Sequence, residues 1–136
     1  MTREEALAII NGERTEKAPR RPPVQREHNL QTACVRWARY QFPKLTIFAI
    51  PNGAWCGYKQ GRKLVAEGML KGVPDIFVAL ARKGYHGLFI EMKAGKKGVV
   101  RDEQSEMLIK LQSEGYQCAV CRTFEQFQQI IIDYIR

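Results

Sequence analysis

Hydrophobic residues recur along the chain at the spacings of helices and of short strands. Leu30, Cys34 and Trp37 lie three or four positions apart, which indicates the inner face of an amphipathic helix. We expect this helix to cover residues 27–42 and to end before Pro43. Short apolar runs bounded by turn-forming residues predict buried strands. After the first helix, the predicted elements are a strand over 45–50, a helix over 60–71, strands over 75–80 and 88–93, a helix over 102–114, a strand over 116–122 and a last helix through Tyr134.

Turn and capping residues agree with this order of elements. Arg82-Lys83-Gly84 separates the second and third strands, which predicts a hairpin. Thr123 and Gln126 match a capping box at the start of the last helix. Because strands and helices alternate along the chain, we predict an α/β protein with a central mixed four-stranded sheet flanked by helices.

The first 26 residues differ from the rest in composition. Thr2 and Glu5 match the capping box of a short helix, and a polar stretch that contains Pro22-Pro23 follows it. We therefore predict a short helix and a basic arm over residues 1–26, and one folded domain over residues 27–136.

Charge and hydropathy limit the partners and the compartment. The chain carries 22 Lys and Arg against 14 Asp and Glu, a net charge of +8, which indicates a polyanionic partner. No apolar run reaches the roughly 18 residues that a membrane span needs. Residues 1–11 carry acids where a signal peptide has bases and an apolar stretch. We therefore expect a cytoplasmic protein with no membrane partner.

Cysteine spacing allows a second kind of chemistry. Cys118 and Cys121 form a Cys-x-x-Cys pair, which could be a redox pair or half of a zinc site. No second cysteine pair has metal-ligand spacing, and the segment around this one is typical of a buried strand. We interpret both as core thiols, with a thiol or zinc protein as the alternative.

Two acidic residues border strongly apolar strands. Asp75 follows Gly72-Val73-Pro74, and Glu91 lies between Ile90 and Met92, two positions before Lys93. An ionised carboxylate in such a setting is costly unless it has a cation or hydrogen-bond donors. Because neighbouring strands of a hairpin lie about 4.8 Å apart, Asp75, Glu91 and Lys93 are expected to reach one small volume. The alternative is a surface salt bridge between Glu91 and Lys93.

This trio of side chains fits the hydrolysis of phosphodiester bonds. Asp75, Glu91 and the backbone carbonyl of Met92 would hold Mg²⁺, which Mn²⁺ could replace, and the ion would neutralise phosphate charge and acidify water. Lys93 would stabilise the charge that builds up in the transition state.

Gly-Val-Pro-Asp-Ile and Ile-Glu-Met-Lys, with fifteen residues between their acids, resemble the active-site signature of the PD-(D/E)XK nuclease superfamily. More narrowly, residues from about Glu27 to Tyr134 resemble the VRR-NUC family, the virus-type replication and repair nucleases. The resemblance implies a restriction-endonuclease-like fold and a divalent-metal-dependent endonuclease. It also implies branched DNA as substrate, such as Holliday junctions or other replication, repair and recombination intermediates, and a phage-encoded protein that acts in a bacterial host.

The resemblance adds three polar residues to the predicted site. Glu27 and Gln31, one turn apart on the first helix, resemble the acid and the Gln that face the active site in the family. Glu27 could be a further catalytic and metal-binding residue, although a favourable helix dipole also explains an acid there. Gln104 matches the family's Gln and could hydrogen-bond Lys93, a water molecule or DNA.

Basic residues flank the predicted site along the chain and are expected to contact phosphates. Trp55 and Tyr58 could stack on an unpaired base or pack in the core or in a dimer contact. The predicted DNA-binding residues are Gln31, Lys59, Arg62, Lys63, Lys71, Lys96, Lys97 and Arg101.

Two further hypotheses concern assembly and activity. Two symmetric cuts in a four-way junction would need a C2 homodimer, and the apolar side of the last helix, with Phe127 and Tyr134, could line the core or that interface. The competing function is a non-catalytic, structure-specific nucleic-acid-binding module. Asp75 and Glu91 argue against that module, because binding alone does not require acids that face a polyanion.

Overall fold

The computed structural model describes residues 23–51, 57–95 and 98–136. Helices and strands follow in the order predicted from the sequence. The predicted short helix near Thr2 and the side chain of Cys56 lie outside the described residues. The elements are α1 (Pro23–Gln41), β1 (Ile47–Ala49), α2 (Tyr58–Ala66), β2 (Ile76–Val78), β3 (Leu88–Met92), α3 (Asp102–Ser113), β4 (Gln117–Cys121) and α4 (Phe124–Ile135).

The four strands form one sheet in the order β1-β2-β3-β4. The first three strands are antiparallel, and β4 pairs in parallel with β3 after the crossover through α3. At the predicted hairpin, Lys83 and Gly84 both have positive φ, 54° and 83°. This is the turn whose twist matches that of the flanking strands. The predicted mixed four-stranded sheet flanked by helices is therefore confirmed.

The two faces of the sheet have different roles. The core face carries Ile76 and Ile90 and is covered by α1 and α4, which also pack against each other. Side chains alternate along a strand, so Phe77, Phe89 and Glu91 lie on the other side, here called the Glu91 face. The fully or almost fully buried hydrophobic residues are Cys34, Ala38, Ile47, Ile76, Val78, Leu88, Ile90, Met92, Cys121, Phe127, Ile131 and Tyr134.

The last helix belongs to this core. Phe127, Ile131 and Tyr134 are all buried within the described chain. Thr123 caps the helix as predicted, since its hydroxyl accepts a hydrogen bond from the Gln126 N–H at 3.1 Å. The choice between core and dimer interface is thereby decided in favour of the core for these three residues.

Edge strands are less buried than the apolar runs suggested. In β1 only Ile47 is buried, because β1 has a neighbour on one side alone. In β4 Cys121 is buried and the four residues before it are half-buried. The prediction of buried strands over 45–50 and 116–122 is wrong to this extent, because hydropathy does not reveal a strand's place in the sheet.

Helix ends differ from the predictions for local reasons. α1 begins at Pro23 rather than Glu27, since proline suits the first turn of a helix, where no N–H donor is needed. α2 ends at Ala66 rather than Lys71, and Gly68 follows with φ of 112°. Glycine adopts this left-handed conformation readily, so the chain turns there. None of the helices in the described ranges is long and apolar enough to cross a membrane.

Cys118 and Cys121 lie on opposite faces of β4, because an odd separation in a strand places side chains on opposite sides. The Cys121 thiol is in the core, whereas Cys118 lies near the carbonyl of Leu108 on α3. Burial raises the pKa of the Cys118 thiol to about 11, which keeps it protonated. No group of three metal-binding side chains exists among the described residues. Cys121 is therefore a core thiol as predicted, whereas Cys118 is half-buried on the opposite face, so the two thiols do not face one common metal site.

Phe127→Ala is expected to lower the free energy of unfolding by about 3–5 kcal/mol, because a fully buried ring leaves a cavity beside Trp37. Urea denaturation followed by circular dichroism measures the change. Ile109→Ala on α3, where the side chain is 66% exposed, is the control and should change stability by less than about 1 kcal/mol. Equal losses in the two variants would contradict the assigned core.

Candidate active site

Asp75 and Glu91 lie side by side where the β2–β3 ladder ends. The register pairs Phe77 with Phe89 and Ile76 with Ile90, so the next pair in the ladder is Asp75 with Glu91. Both side chains therefore lie on the Glu91 face, as the hairpin prediction required. The two acids that are far apart in sequence are direct cross-strand neighbours.

Asp75 is fixed by hydrogen bonds to both neighbouring strands. Its Oδ2 atom accepts a hydrogen bond from the Met92 N–H at 2.8 Å, and its backbone carbonyl accepts one from the Ile50 N–H at 2.8 Å. The Met92 side chain is buried in the core on the other face. Because backbone groups hold Asp75, its carboxyl group has little freedom to move away from Glu91.

Glu91 is the most deeply buried acid of the described chain, with 2% of its surface exposed. Its Oε1 atom accepts a hydrogen bond from Gln104 Nε2 at 2.9 Å and lies 3.5 Å from Lys93 Nζ. Among the described residues, its Oε2 atom is buried without a hydrogen-bond partner. The ion pair with Lys93 is thus buried, and the alternative of a surface salt bridge is wrong.

The pKa of Glu91 is raised from an ordinary value of 4.5 to about 8, and burial is the largest cause. Charge repulsion by the neighbouring Asp75 carboxyl and a hydrogen bond between the two carboxyl groups add to this rise, whereas the Lys93 ammonium opposes it. Near neutral pH, the two carboxyl groups are therefore disposed to share one proton. A divalent cation could take the place of that proton and provide the missing partner for Oε2. Carboxylate oxygens are the ligands that Mg²⁺ prefers, so the donor set fits the metal.

Lys93 is held by β4 as well as by its own strand. Its backbone N–H donates to the Cys121 carbonyl at 2.8 Å, and the residue is only 9% exposed. Arg122 directly follows β4 and donates hydrogen bonds from Nη1 to the carbonyls of Gly95 and Gly98, at 3.0 Å in the first case. Arg122 was not among the predicted site residues, because its partners belong to a distant loop and leave no local motif.

Gln104 lies in the first turn of α3 and links the helix to the acids. Its Oε1 atom accepts a hydrogen bond from the Arg101 N–H at 3.0 Å, while its Nε2 group donates to Glu91. The predicted partners were Lys93, water or DNA, so Glu91 is a partner that the sequence did not indicate. Gly72 lies against the same turn, since a Cβ atom there would be 2.8 Å from the Glu103 carbonyl oxygen.

Glu27 and Gln31 are half-buried on α1. No three His, Cys, Asp or Glu side chains come together at metal-binding distances within the described ranges. The role of Glu27 as a further catalytic and metal-binding residue, and that of Gln31 beside it, therefore stays a prediction from the sequence.

Most of the predicted DNA-binding residues lie on the surface. α2 has no buried residue, and the Arg62 guanidinium lies over the Tyr58 ring at 5.7 Å from its centre. Lys96, Lys97 and Trp55 lie outside the residues that the structure describes. The exposed members of the predicted set are Lys59, Arg62, Lys63, Lys71 and Arg101.

Comparisons with known proteins find a domain family and a solved structure that are similar to this chain. The model of the VRR-NUC domain family matches residues 22–125, a span that includes Asp75, Glu91, Lys93 and Gln104. A solved structure described as a "VRR_NUC domain protein" is similar, with a TM-score of 0.69 and 28% sequence identity. The similarity covers 80% of this chain and 87% of that chain. Among functionally curated proteins, none matches.

Gly72→Ala is expected to lower the free energy of unfolding more than Gly68→Ala, by roughly 1–3 kcal/mol. Both glycines have positive φ, so backbone strain affects both variants. An added Cβ at Gly72 meets α3, whereas nothing lies within 4 Å of one at Gly68. Urea denaturation compares the two variants, and equal losses would show that the contact with α3 carries no energy.

Glu91→Gln is expected to change how stability depends on pH in the presence of a chelator. With a folded-state pKa near 8, against 4.5 ordinarily, ionisation of Glu91 opposes folding. The wild type should therefore lose stability relative to Glu91→Gln as the pH rises from 4.5 through 8. Melting temperatures measured across this range provide the test, with Glu106→Gln on the exposed side of α3 as the control. Parallel curves for the wild type and Glu91→Gln would contradict the raised pKa.

Proposed function

This chain belongs to the VRR-NUC family, and from that premise we propose that it is a divalent-metal-dependent, structure-specific DNA endonuclease that hydrolyses phosphodiester bonds. The pair of half-buried Asp75 and buried Glu91 carries the proposal, together with the unpartnered Oε2 atom of Glu91. Buried polar atoms are almost always paired in a structural role, so an orphaned carboxylate oxygen favours a ligand.

Asp75, Glu91 and the backbone carbonyl of Met92 would hold Mg²⁺, and Mn²⁺ would be able to replace it. When bound, the ion supplies positive charge at the scissile phosphate and makes a nearby water molecule more acidic. Gln104 and Lys93 hold Oε1 of Glu91, which leaves Oε2 for the cation. These roles use the contacts that the described residues already make.

The Lys93 ammonium group acts on the charge of the substrate. It is held beside Glu91 in a site of low exposure, where electrostatic interactions are strong. Negative charge on the phosphate increases in the transition state, so a fixed cation at this position lowers the barrier. Lys93 is therefore the residue whose loss affects the chemical step rather than the binding of metal.

Exposed lysine and arginine side chains contact the phosphates of the DNA backbone. Phosphate contacts position DNA without reading its sequence, so a site of this kind selects the shape of the DNA. The substrate is then branched DNA, such as Holliday junctions or other intermediates of replication, repair and recombination. As a homodimer, the protein would place two active sites for symmetric cuts in one junction. If it is encoded by a phage, it would act in the cytoplasm of a bacterial host. The contributing residues are Lys59, Arg62, Lys63, Lys71 and Arg101.

Asp75→Asn and Lys93→Met are each expected to slow DNA cleavage in Mg²⁺ by at least about 100-fold, because a metal ligand and a transition-state cation are lost. The assay uses labelled linear, flapped, splayed and four-way DNA, with and without Mg²⁺ or Mn²⁺. Binding in a chelator should remain in both variants. Glu106→Gln and Lys110→Met, which alter exposed charges on α3, are the matched controls and should cut at the wild-type rate.

The same assay separates the enzyme from a binding module. Salt-sensitive binding of DNA by the wild type without cleavage in either metal would overturn the proposal and favour the non-catalytic alternative. Cleavage by Asp75→Asn at the wild-type rate would place the active site elsewhere.

A further inference from the structure

Aromatic side chains form a continuous row across the Glu91 face of the sheet. The first three rings lie on β1, β2 and β3, and the fourth directly precedes β4. We call this row, formed by Phe48, Phe77, Phe89 and Tyr116, the aromatic strip. Successive ring centres lie 5.6, 4.5 and 5.1 Å apart. These distances are those of contacting aromatic pairs, so the rings form one surface.

The register places the aromatic strip directly beside the two acids. Phe77 is two residues from Asp75 on one strand, and Phe89 is two residues from Glu91 on the next. Two residues along a strand span about 6.6 Å. Stacked nucleotides in a DNA strand are about 3.4 Å apart along the helix, and unstacked nucleotides are farther apart. A distance of about 6.6 Å is therefore about the length of one unstacked nucleotide. A nucleotide beside the scissile phosphate would therefore reach the strip.

The β1 end of the aromatic strip is accessible. α1 and α4 cover the core face, whereas α3 packs against β4, at the opposite end of the strip from Phe48. Phe48 is 41% exposed, and its ring meets the Phe77 ring at an interplanar angle of 72°. The Phe48 side chain is thus held by a ring contact and still presents part of its surface to a flat partner.

The chemistry of the surroundings identifies that partner. The chain carries a net charge of +8, and the aromatic strip itself contains no charged side chain. A second copy of the chain on the strip would lie about 7 Å from the acids and would obstruct the phosphate. A nucleotide suits both the uncharged aromatic strip and the neighbouring acids, since its base stacks on a ring while its phosphate reaches the acids. A paired base is covered by its neighbours in the helix, so only an unpaired base offers its face.

We propose that Phe48, supported by Phe77, stacks on an unpaired base of the nucleotide that flanks the scissile phosphate. The inference rests on the proposed nuclease function and makes it more specific. DNA with an unpaired nucleotide beside the cut is the preferred substrate. Phe48 is then a specificity-determining residue.

Binding measurements on matched DNAs test this subsite. Once the cut position is mapped, flapped DNA with a normal unpaired nucleotide beside it is compared with the same DNA carrying an abasic site there. Anisotropy in a chelator gives Kd without cleavage. Phe48→Leu, which keeps the apolar bulk without the ring, should weaken binding of the normal DNA about 5- to 100-fold. It should leave the Kd of the abasic DNA unchanged.

Two control variants sharpen the result. Phe48→Trp keeps a stacking surface and should bind the normal DNA at least as tightly as the wild type, with no gain on the abasic DNA. Tyr40→Leu removes an 82% exposed ring from α1 and should change neither Kd. If Phe48→Leu melts at a much lower temperature, the comparison between Phe48→Trp and the wild type decides alone.

Three outcomes would overturn the inference. Equal effects of Phe48→Leu on both DNAs would show that the ring does not read a base. A lower molecular mass of Phe48→Leu in solution would show that a second copy occupies the aromatic strip. Cleavage of fully paired linear DNA at the rate of flapped DNA would remove the substrate preference. Failure of the proposed function is distinct, because the wild type would then cut no DNA in Mg²⁺ or Mn²⁺.

Discussion

Burial of the Glu91 carboxyl group is the constraint on which the rest of the site depends. A carboxylate that loses water must gain partners, or it takes up a proton. Gln104 and Lys93 satisfy one oxygen of Glu91, and Asp75 repels the charge of the other. Two carboxyl groups with one unpartnered oxygen are poorly arranged for folding alone. A bound cation would provide the missing partner for that oxygen. The same burial that makes the carboxylates unfavourable without a cation would then strengthen their attraction to it.

Three parts of the fold keep this pair in place, and each solves a different problem. Antiparallel pairing of β2 with β3 sets the register that makes Asp75 and Glu91 neighbours, and this register is offset by one residue from the Arg82–Tyr85 bridge at the turn. Parallel pairing with β4 holds Lys93 through the Cys121 carbonyl. The first turn of α3 brings Gln104 to Glu91, and Gly72 lets the loop between α2 and β2 approach that turn closely. A change in the pairing with β2 or β4 reaches the acids through backbone geometry, whereas a change in the first turn of α3 also alters the direct hydrogen bond from Gln104 to Glu91.

Local patterns were sufficient to predict the hairpin, but distant contacts were not. Asp75, Glu91 and Lys93 could be placed together from a turn signal and the alternation of a strand, since both act over a few residues. The hydrogen bond from Gln104 to Glu91 depends on how α3 crosses the sheet, and sequence spacing does not define that crossing. Exposure of β1 and β4 likewise depends on strand order, which hydropathy does not encode.

The acids and the basic surface act together in the proposed function rather than against each other. A net charge of +8 attracts DNA, yet two ionised carboxylates at the scissile phosphate would repel it. At neutral pH, the raised pKa of Glu91 limits that repulsion by keeping a proton on the pair. A divalent cation removes the repulsion entirely and reverses the local charge. By thermodynamic linkage, DNA must then strengthen cation binding by the same factor by which the cation strengthens DNA binding. The buried pair thus couples the two ligands, whereas an exposed pair, screened by water and salt, would couple them weakly.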